Sequence, residues 1–311
     1  MARYGYLVPA TSANLGPGFD SFGIALDLYN KFEAQRAECW RVHVEGEGKG
    51  YLHEDERNQV ARAMRTTFEH AGADLCAEVW CENRIPTGNG LGSSSTARLG
   101  GVLLARDILE EAGYERLDDQ TVFEIATKLE DHPDNVAPAL YGGFTVCWIS
   151  DESPQYARFE PANGLAAVVV PATGEIMTRD ARKMLPADVP HEDAAFNVAH
   201  AGLLAASIIA GHPEHFGAAL RDKLHEPYRS AAIEDLEDIH ALLIEAGADG
   251  VALSGSGPTV IGLVAGNDDE DAYRRAVEVA SSASAAVSKL KTRREPLPLA
   301  LVRDGAKQLH E

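Results

Sequence analysis

Residues 86–101 read PTGNGLGSSSTARLGG, with three glycines and three serines in the first ten positions and an apolar, helix-like run after them. Glycines at 88, 90 and 92 carry no Cβ, so the backbone there can take positive φ and approach a ligand closely. If a helix starts at the serines, the N–H groups of Ser93 to Thr96 are orphan donors. Such donors, with the helix dipole, hold a phosphate without a side-chain cation. The lysine that closes a Walker-type loop, G-x-x-x-x-G-K-[ST], is absent here. Read alone, the stretch is equally well a glycine turn with a serine N-cap.

Outward from the loop, AEVWCEN (77–83) reads as a strand, and the run after the serines reads as a helix stopped by Gly113. YGYLVPA (4–10) and WRVHVEGEG (40–48) alternate like strands, while ERNQVARAMRTTFEHAG (56–72) has helical spacing in Val60, Ala63, Met64 and Phe68. A second helix, DDQTVFEIATKLED (118–131), leads through HPDNVAPALYGG to the strand FTVCWIS (144–150). DESPQYARFEPANG (151–164) is polar and turn-rich, which places a division near residue 150, with domains 1–150 and 151–311. Beyond it come the strand LAAVVVPA, helices from about 178 to 246, GVALSGSGPTVIGLV as two strands around a turn, a helix near 269–288 and PLALV as a last strand. Strands and helices without a strict βαβ rhythm predict an α+β fold in both halves.

The chain has 311 residues and 45% hydrophobic content, enough for a sizeable core. Lys and Arg number 28 against 48 Asp and Glu, a formal charge of −20. That balance argues against a nucleic-acid groove or an anionic membrane surface as partner, so any anion must be bound by local features. No apolar run reaches the ~18 residues of a membrane span, and MARYGYLVPA lacks the marks of a secretory leader, so the expected location is cytoplasmic. Cys39, Cys76, Cys81 and Cys147 show no C-x-x-C spacing and are expected as buried, reduced thiols. There is no H-E-x-x-H, no protein-kinase H-R-D or D-F-G set and no basic aromatic patch.

Two further segments present polar side chains on loops. PATSANLGPGFDSFGIALDL (9–28) runs from strand to loop to strand and offers Asn14 and Asp20. SGSGPT (254–259) reads by itself as a tight turn between buried strands.

Taken in order, PATSANLGPGFD, GLGSS and SGSGPT resemble the motifs of the GHMP kinase superfamily, and within it most nearly those of the homoserine kinase family. EDHPDNVAPALYGGF (130–144) is similar to that family's middle motif, and TRDARKMLP with HEPYR to its substrate-side signatures. The resemblance covers essentially the whole chain. It implies an N-terminal domain like the second domain of ribosomal protein S5, a C-terminal ferredoxin-like domain, and an active site in the cleft between them. It implies ATP and Mg²⁺ as cofactors, L-homoserine as the small-molecule substrate and O-phospho-L-homoserine, on the route to threonine, as product.

By that likeness Gly90, Leu91, Gly92, Ser93 and Ser94 wrap the ATP phosphates, flanked by Pro86, Gly88 and Ser95, with Asn58 near the adenine. Ser94 and Glu124 are the implied Mg²⁺ ligands; without the likeness, Glu124 is an ordinary exposed helix carboxylate. Arg182 and Arg229 match the family's two arginines, and bidentate guanidinium pairing suits a substrate carboxylate. Asp20 is the ammonium partner, with Asn14, His132 and Thr178 around it. Asn135 stands where many kinases of the superfamily carry an aspartate base, and its implied role is to orient the hydroxyl. Asp134 is read as a capping or supporting residue. Asp131 replaces the glycine usual in this motif, and aspartate tolerates a left-handed backbone better than most residues. Arg98, about one turn into the helix, is the nearest cation, with its role open. A kinase of another small hydroxylated amino acid, such as threonine, and a non-catalytic nucleotide or metabolite sensor are the alternatives. A homodimer is the assembly carried as an expectation.

Overall fold

The structure is a computed structural model that describes residues 2–175 and 178–309. In the first half, β1 (Arg3–Ala13) and β2 (Phe22–Ala37) form a long antiparallel pair, in register from Arg3 opposite Gln35 to Ala13 opposite Gly23. After them come β3 (Arg41–Gly46), α1 (Gln59–His70), β4 (Cys76–Asn83), α2 (Ser93–Glu111), α3 (Asp119–Glu130), α4 (Val136–Tyr141), β5 (Phe144–Ser150) and β6 (Ser153–Phe159). β4 lies between β2, to which it is antiparallel, and β3, to which it is parallel, while β5 pairs with the first residues of β2. Val60, Ala63, Met64 and Phe68 of α1 are all buried, as their spacing predicts. They share one core with Leu99, Leu103 and Val102 of α2 and Phe32 and Val79 of the sheet.

The second half holds β7 (Leu165–Val170), α5 (Thr178–Arg182), α6 (His191–Ala210), α7 (Phe216–Ala219), α8 (Glu226–Ser230), α9 (Leu236–Glu245), β8 (Gly250–Leu253), β9 (Val260–Ala265), α10 (Asp269–Val287), β10 (Leu297–Ala300) and β11 (Lys307–Gln308). Its sheet is antiparallel in the order β10-β7-β9-β8, with helices between β7 and β8 and between β9 and β10. That is the ferredoxin-like arrangement. β7 is apolar throughout because both its faces are covered. Leu165, Ala167 and Val169 join the core shared with the first half, while Ala166, Val168 and Val170 pack with α9 and α10. The shared core takes Ala10, Leu15, Ile24 and Leu91 from the first half and Phe216, Ala252 and Ile261 from the second. The two halves are therefore fixed against each other beneath the cleft.

Three expectations change. The segment 151–164 contains β6, paired with β5 from Phe144 opposite Phe159 to Ser150 opposite Ser153. Its turn residues Asp151 and Glu152 have φ of 50° and 65°, without the glycine that usually marks such a hairpin. The expected division at 150 thus falls inside a hairpin of the first sheet, and β11 returns to that sheet beside β1. Cys39 is exposed and Cys76 half-buried, whereas Cys81 and Cys147 are buried as expected, and burial pushes the Cys81 thiol up to about 12. Finally, α6 is long and apolar enough to cross a membrane by length and composition. Its buried residues are Asn197, Leu204, Ser207 and Ile208, and its first turn holds Glu192 and Asp193.

Candidate active site

The three singled-out loops meet at one place. Gly88, Gly90 and Gly92 have φ of 61°, 78° and 70°, a backbone that side chains resist. A Cβ on Gly90 would fall 2.1 Å from the Ser254 carbonyl oxygen, and one on Gly92 2.1 Å from Thr11 Oγ1. The glycine loop is therefore threaded between the first loop and the SGSGPT turn. Gly255 N–H donates to the Ala13 carbonyl at 2.9 Å, Ser254 Oγ donates to the Gly90 carbonyl at 2.7 Å, and Asn14 Nδ2 donates to the Gly255 carbonyl at 2.7 Å. The turn that reads as a plain hairpin connection is the weld between the halves.

Gly92 is the N-cap of α2 and supplies no side-chain cap. The N–H of Thr96 is taken by the Gly92 carbonyl, so the free donors at this end are those of Ser93 to Ser95, one fewer than expected. Ser95 Oγ is buried with no partner among the described residues. The side chains of Pro86 and Leu91 are buried, Leu91 within the shared core, so neither forms the cleft wall. Asn58 does line the cleft, but its side chain is committed: Oδ1 accepts Val60 N–H at 2.9 Å and Nδ2 donates to the His53 carbonyl at 2.8 Å. The cleft has a volume of about 930 Å³ and runs from Tyr51, His53 and Asn58 past the glycine loop to Asp20 and the two arginines.

Glu124 is not in this cleft. It sits on the exposed face of α3, accepting from Gln120 Nε2 and Ser153 Oγ, each at 3.0 Å. The carboxylate that lies beside Ser94 is instead that of Glu130, at the last turn of the same helix. Ser94 Oγ donates to Glu130 Oε1 at 2.7 Å, and Arg98 pairs with Glu130 Oε2. Six residues are more than one and a half helical turns, which carries the carboxylate about 9 Å along the axis. Asp131 ends the helix at φ 73°, so the left-handed turn that a glycine would make here is retained.

Two oxygen ligands on one side of an anion cradle suit Mg²⁺, which keeps water and phosphate oxygens for its remaining positions. No cluster of three or more His, Cys, Asp or Glu that could hold a metal occurs among the described residues. The donor set therefore fits a cation shared with phosphates.

At the other end of the cleft, Arg182 makes a bidentate pair with Asp20, at 2.8 and 2.6 Å. Asp20 sits at φ 54°, held by its own N–H on Asn14 Oδ1 at 2.9 Å. Arg229 is buried: Nη1 donates to the Gly255 carbonyl at 3.1 Å and lies 3.0 Å from His225 Nδ1, while Nε has no partner among the described residues. Burial lowers its pKa, with Asp20 opposing. Both guanidinium groups approach the ring of Phe19, Arg182 at 5.7 Å and Arg229 at 5.4 Å from its centroid. His132 Nδ1 is 2.5 Å from Asp134 Oδ1. Burial works against charge on His132, but the Asp134 carboxylate outweighs it and the pKa is raised. Thr11 Oγ1 donates to Asn135 Oδ1 at 2.8 Å. The Thr178 side chain lies outside the described residues.

Residues 58–143 match the GHMP kinases N terminal domain and residues 204–283 the GHMP kinases C terminal domain. The chain belongs to the GHMP kinase family. It is 42% identical over 260 residues to a homoserine kinase of Streptomyces avermitilis, covering 82% of this chain and 84% of that one. A homoserine kinase of Clavibacter michiganensis is 42% identical over 268 residues, with 84% and 82% covered. Among solved structures, that of a homoserine kinase from Cytophaga hutchinsonii superposes with a TM-score of 0.85 at 25% identity, covering 99% of this chain and 98% of the other.

In this GHMP kinase several residues that shape the site escaped the sequence reading. Asn89 Oδ1 accepts Ala172 N–H at 2.8 Å and its carbonyl accepts Thr259 N–H at 3.2 Å, tying the glycine loop to two points of the second half. Asn30 Oδ1 accepts the N–H groups of Arg84 and Ile85 at 2.8 and 3.0 Å, and so fixes the approach to the loop. Glu130 was within a quoted motif; its signal was its position at the end of α3, beside the left-handed Asp131.

Proposed function

We propose that this GHMP kinase is an ATP-dependent homoserine kinase, transferring the γ-phosphoryl group of ATP to the side-chain hydroxyl of L-homoserine. The observation that carries the reading is the pairing, in one cleft, of a backbone phosphate cradle with two guanidinium groups and a carboxylate set for a zwitterion. The relatives named homoserine kinase support the same choice.

The loop N–H groups at the start of α2 would hold the phosphates, with Gly90 and Gly92 allowing close approach. Ser94 and Glu130 would hold Mg²⁺, which when bound would supply charge neutralisation to the phosphates. For Glu130 to serve, Arg98 shifts from that carboxylate toward the phosphates. The substrate carboxylate meets Arg229 and Arg182, and its ammonium meets Asp20. Because Asp20 and Arg182 already neutralise each other, a ligand carrying both charges replaces one ion pair by two, whereas a ligand with one charge strands a partner.

Thr11 holds Asn135 Oδ1, so the Asn135 amide is left to orient the substrate hydroxyl toward the γ-phosphate. His132 is held through Nδ1 by Asp134, whose carboxylate outweighs burial and raises the imidazole pKa. A loose transition state needs little deprotonation of the nucleophile, so positioning and electrostatics carry the catalysis.

A panel of L-homoserine, L-threonine, L-serine, an amino alcohol and a hydroxy acid, assayed for ADP release with Mg²⁺ and again with chelator, tests this. L-Homoserine is expected to give the highest kcat/KM, and the amino alcohol and hydroxy acid about a hundredfold less. A higher kcat/KM for L-threonine would move the reading to the neighbouring amino-acid kinase.

A further inference from the structure

We infer that His225 is the positioning residue of the carboxylate clamp: as a neutral imidazole protonated on Nε2, it accepts Arg229 Nη1 and thereby sets which guanidinium donors face the substrate. The inference deepens the homoserine kinase reading and rests on it for the identity of the substrate.

The two contacts of the ring determine its tautomer. Nε2 lies 2.7 Å from the Gly16 carbonyl oxygen, which can only accept, so Nε2 carries the hydrogen. Nδ1 lies 3.0 Å from Arg229 Nη1, which can only donate, so Nδ1 presents its lone pair. A ring protonated on Nδ1 would set N–H against N–H and push Arg229 away. The ring is fully buried and stacks on Phe19 at 5.4 Å, the same phenyl ring that both arginines approach. Its backbone is fixed by Asp222, whose carboxylate accepts the N–H groups of Leu224, His225 and Glu226 at 2.9, 2.8 and 2.7 Å. Asp222 Oδ2 is 3.7 Å from His225 Nε2, too far to compete with the Gly16 carbonyl.

Charge is kept off this ring. Burial pushes the imidazole down to about 4, with Arg229 acting in the same direction and Asp222 and Asp20 opposing. Arg229 Nη1 is therefore pinned twice on the protein side, by His225 and by the Gly255 carbonyl at 3.1 Å. Its Nε is buried, with no partner among the described residues. Through the ring, the Gly16 loop of the first half and Arg229 of the second are linked by one side chain.

Two substitutions separate positioning from mere support. Asparagine can keep an acceptor near the Nδ1 position, whereas glutamine can keep a donor near the Nε2 position. His225→Gln is expected to raise the KM for L-homoserine about tenfold with the KM for ATP unchanged, and His225→Asn to raise it about threefold or less. Rescue by glutamine but not asparagine, or an equal rise in both KM values, overturns the proposal in favour of a structural tie to Gly16. Thermal unfolding of both variants identifies any that fail to fold. Independently of substrate, ¹⁵N imidazole NMR of the intact protein, assigned by the His225→Asn difference spectrum, is expected to show one neutral Nε2–H ring from pH 5.5 to 8. An Nδ1–H tautomer or a titration in that range overturns the inference even if L-homoserine proves not to be the substrate. An inactive wild type with the expected tautomer would instead sink only the substrate reading.

Discussion

The two ends of the cleft are made of different material. The proposed nucleotide end is backbone: three left-handed glycines, the first N–H groups of α2, and asparagines that hold main-chain groups in place. The proposed amino-acid end is side chain: Asp20, Arg182, Arg229, His132 and Asn135, each held by another polar partner. Backbone sites fail when atoms are added, because nothing can give way. Side-chain sites fail when atoms are removed, because a charged neighbour is left unpaired. Glu130 is the exception, a side chain at the backbone end.

That exception supplies the largest expected effect. Glu130→Ala removes the carboxylate beside Ser94 and leaves Arg98 unpaired, and kcat is expected to fall about a thousandfold. Glu124→Ala, on the exposed face of α3, is expected to leave kcat within about twofold. Steady-state kinetics at saturating ATP check both. The assignment of Glu130 collapses if the two variants change places.

The next effects test the contrast directly. Gly90→Ala forces a Cβ against the Ser254 carbonyl at a φ of 78°, and is expected to raise the KM for ATP about a hundredfold while the KM for L-homoserine moves little. Arg182→Ala strands Asp20 and is expected to do the reverse, raising the amino-acid KM about thirtyfold with the ATP KM unchanged. Two variants that both raise both KM values would show that the ends are coupled through the loops that join them.

The same contrast explains what was legible beforehand. Periodicity located the strands and helices because each buried face repeats in the chain, as α1 and β7 show. The glycines announced themselves because few residues tolerate positive φ. Asp151–Glu152 hid a hairpin for the opposite reason, since two acidic residues occupy left-handed positions that glycine or asparagine usually marks. Glu124 and Glu130 lie on one helix, and which of them reaches Ser94 depends on how α3 packs against α2, a tertiary fact. His225 likewise gains its role only where the Gly16 carbonyl and Arg229 arrive from opposite halves.

The smallest effect concerns His132 and Asp134, a buried pair at the amino-acid end. The folded pKa of His132 is raised above the ordinary value of 6.5 because Asp134 outweighs burial. A group raised in this way adds stability that is fully present below the unfolded pKa and is lost as pH rises through the folded one. The melting temperature is therefore expected to drift down as the solution is taken from pH 6 upward through that raised value, by about a degree or two from this pair. Asp134→Asn removes the carboxylate that opposes burial most, so burial and Arg182 should then outweigh Asp20 and move the His132 titration below 6.5. The downward drift should disappear and become a small rise with pH, since a depressed histidine loses its penalty as it deprotonates. A drift of unchanged slope in Asp134→Asn would place the titrating group elsewhere in the cleft.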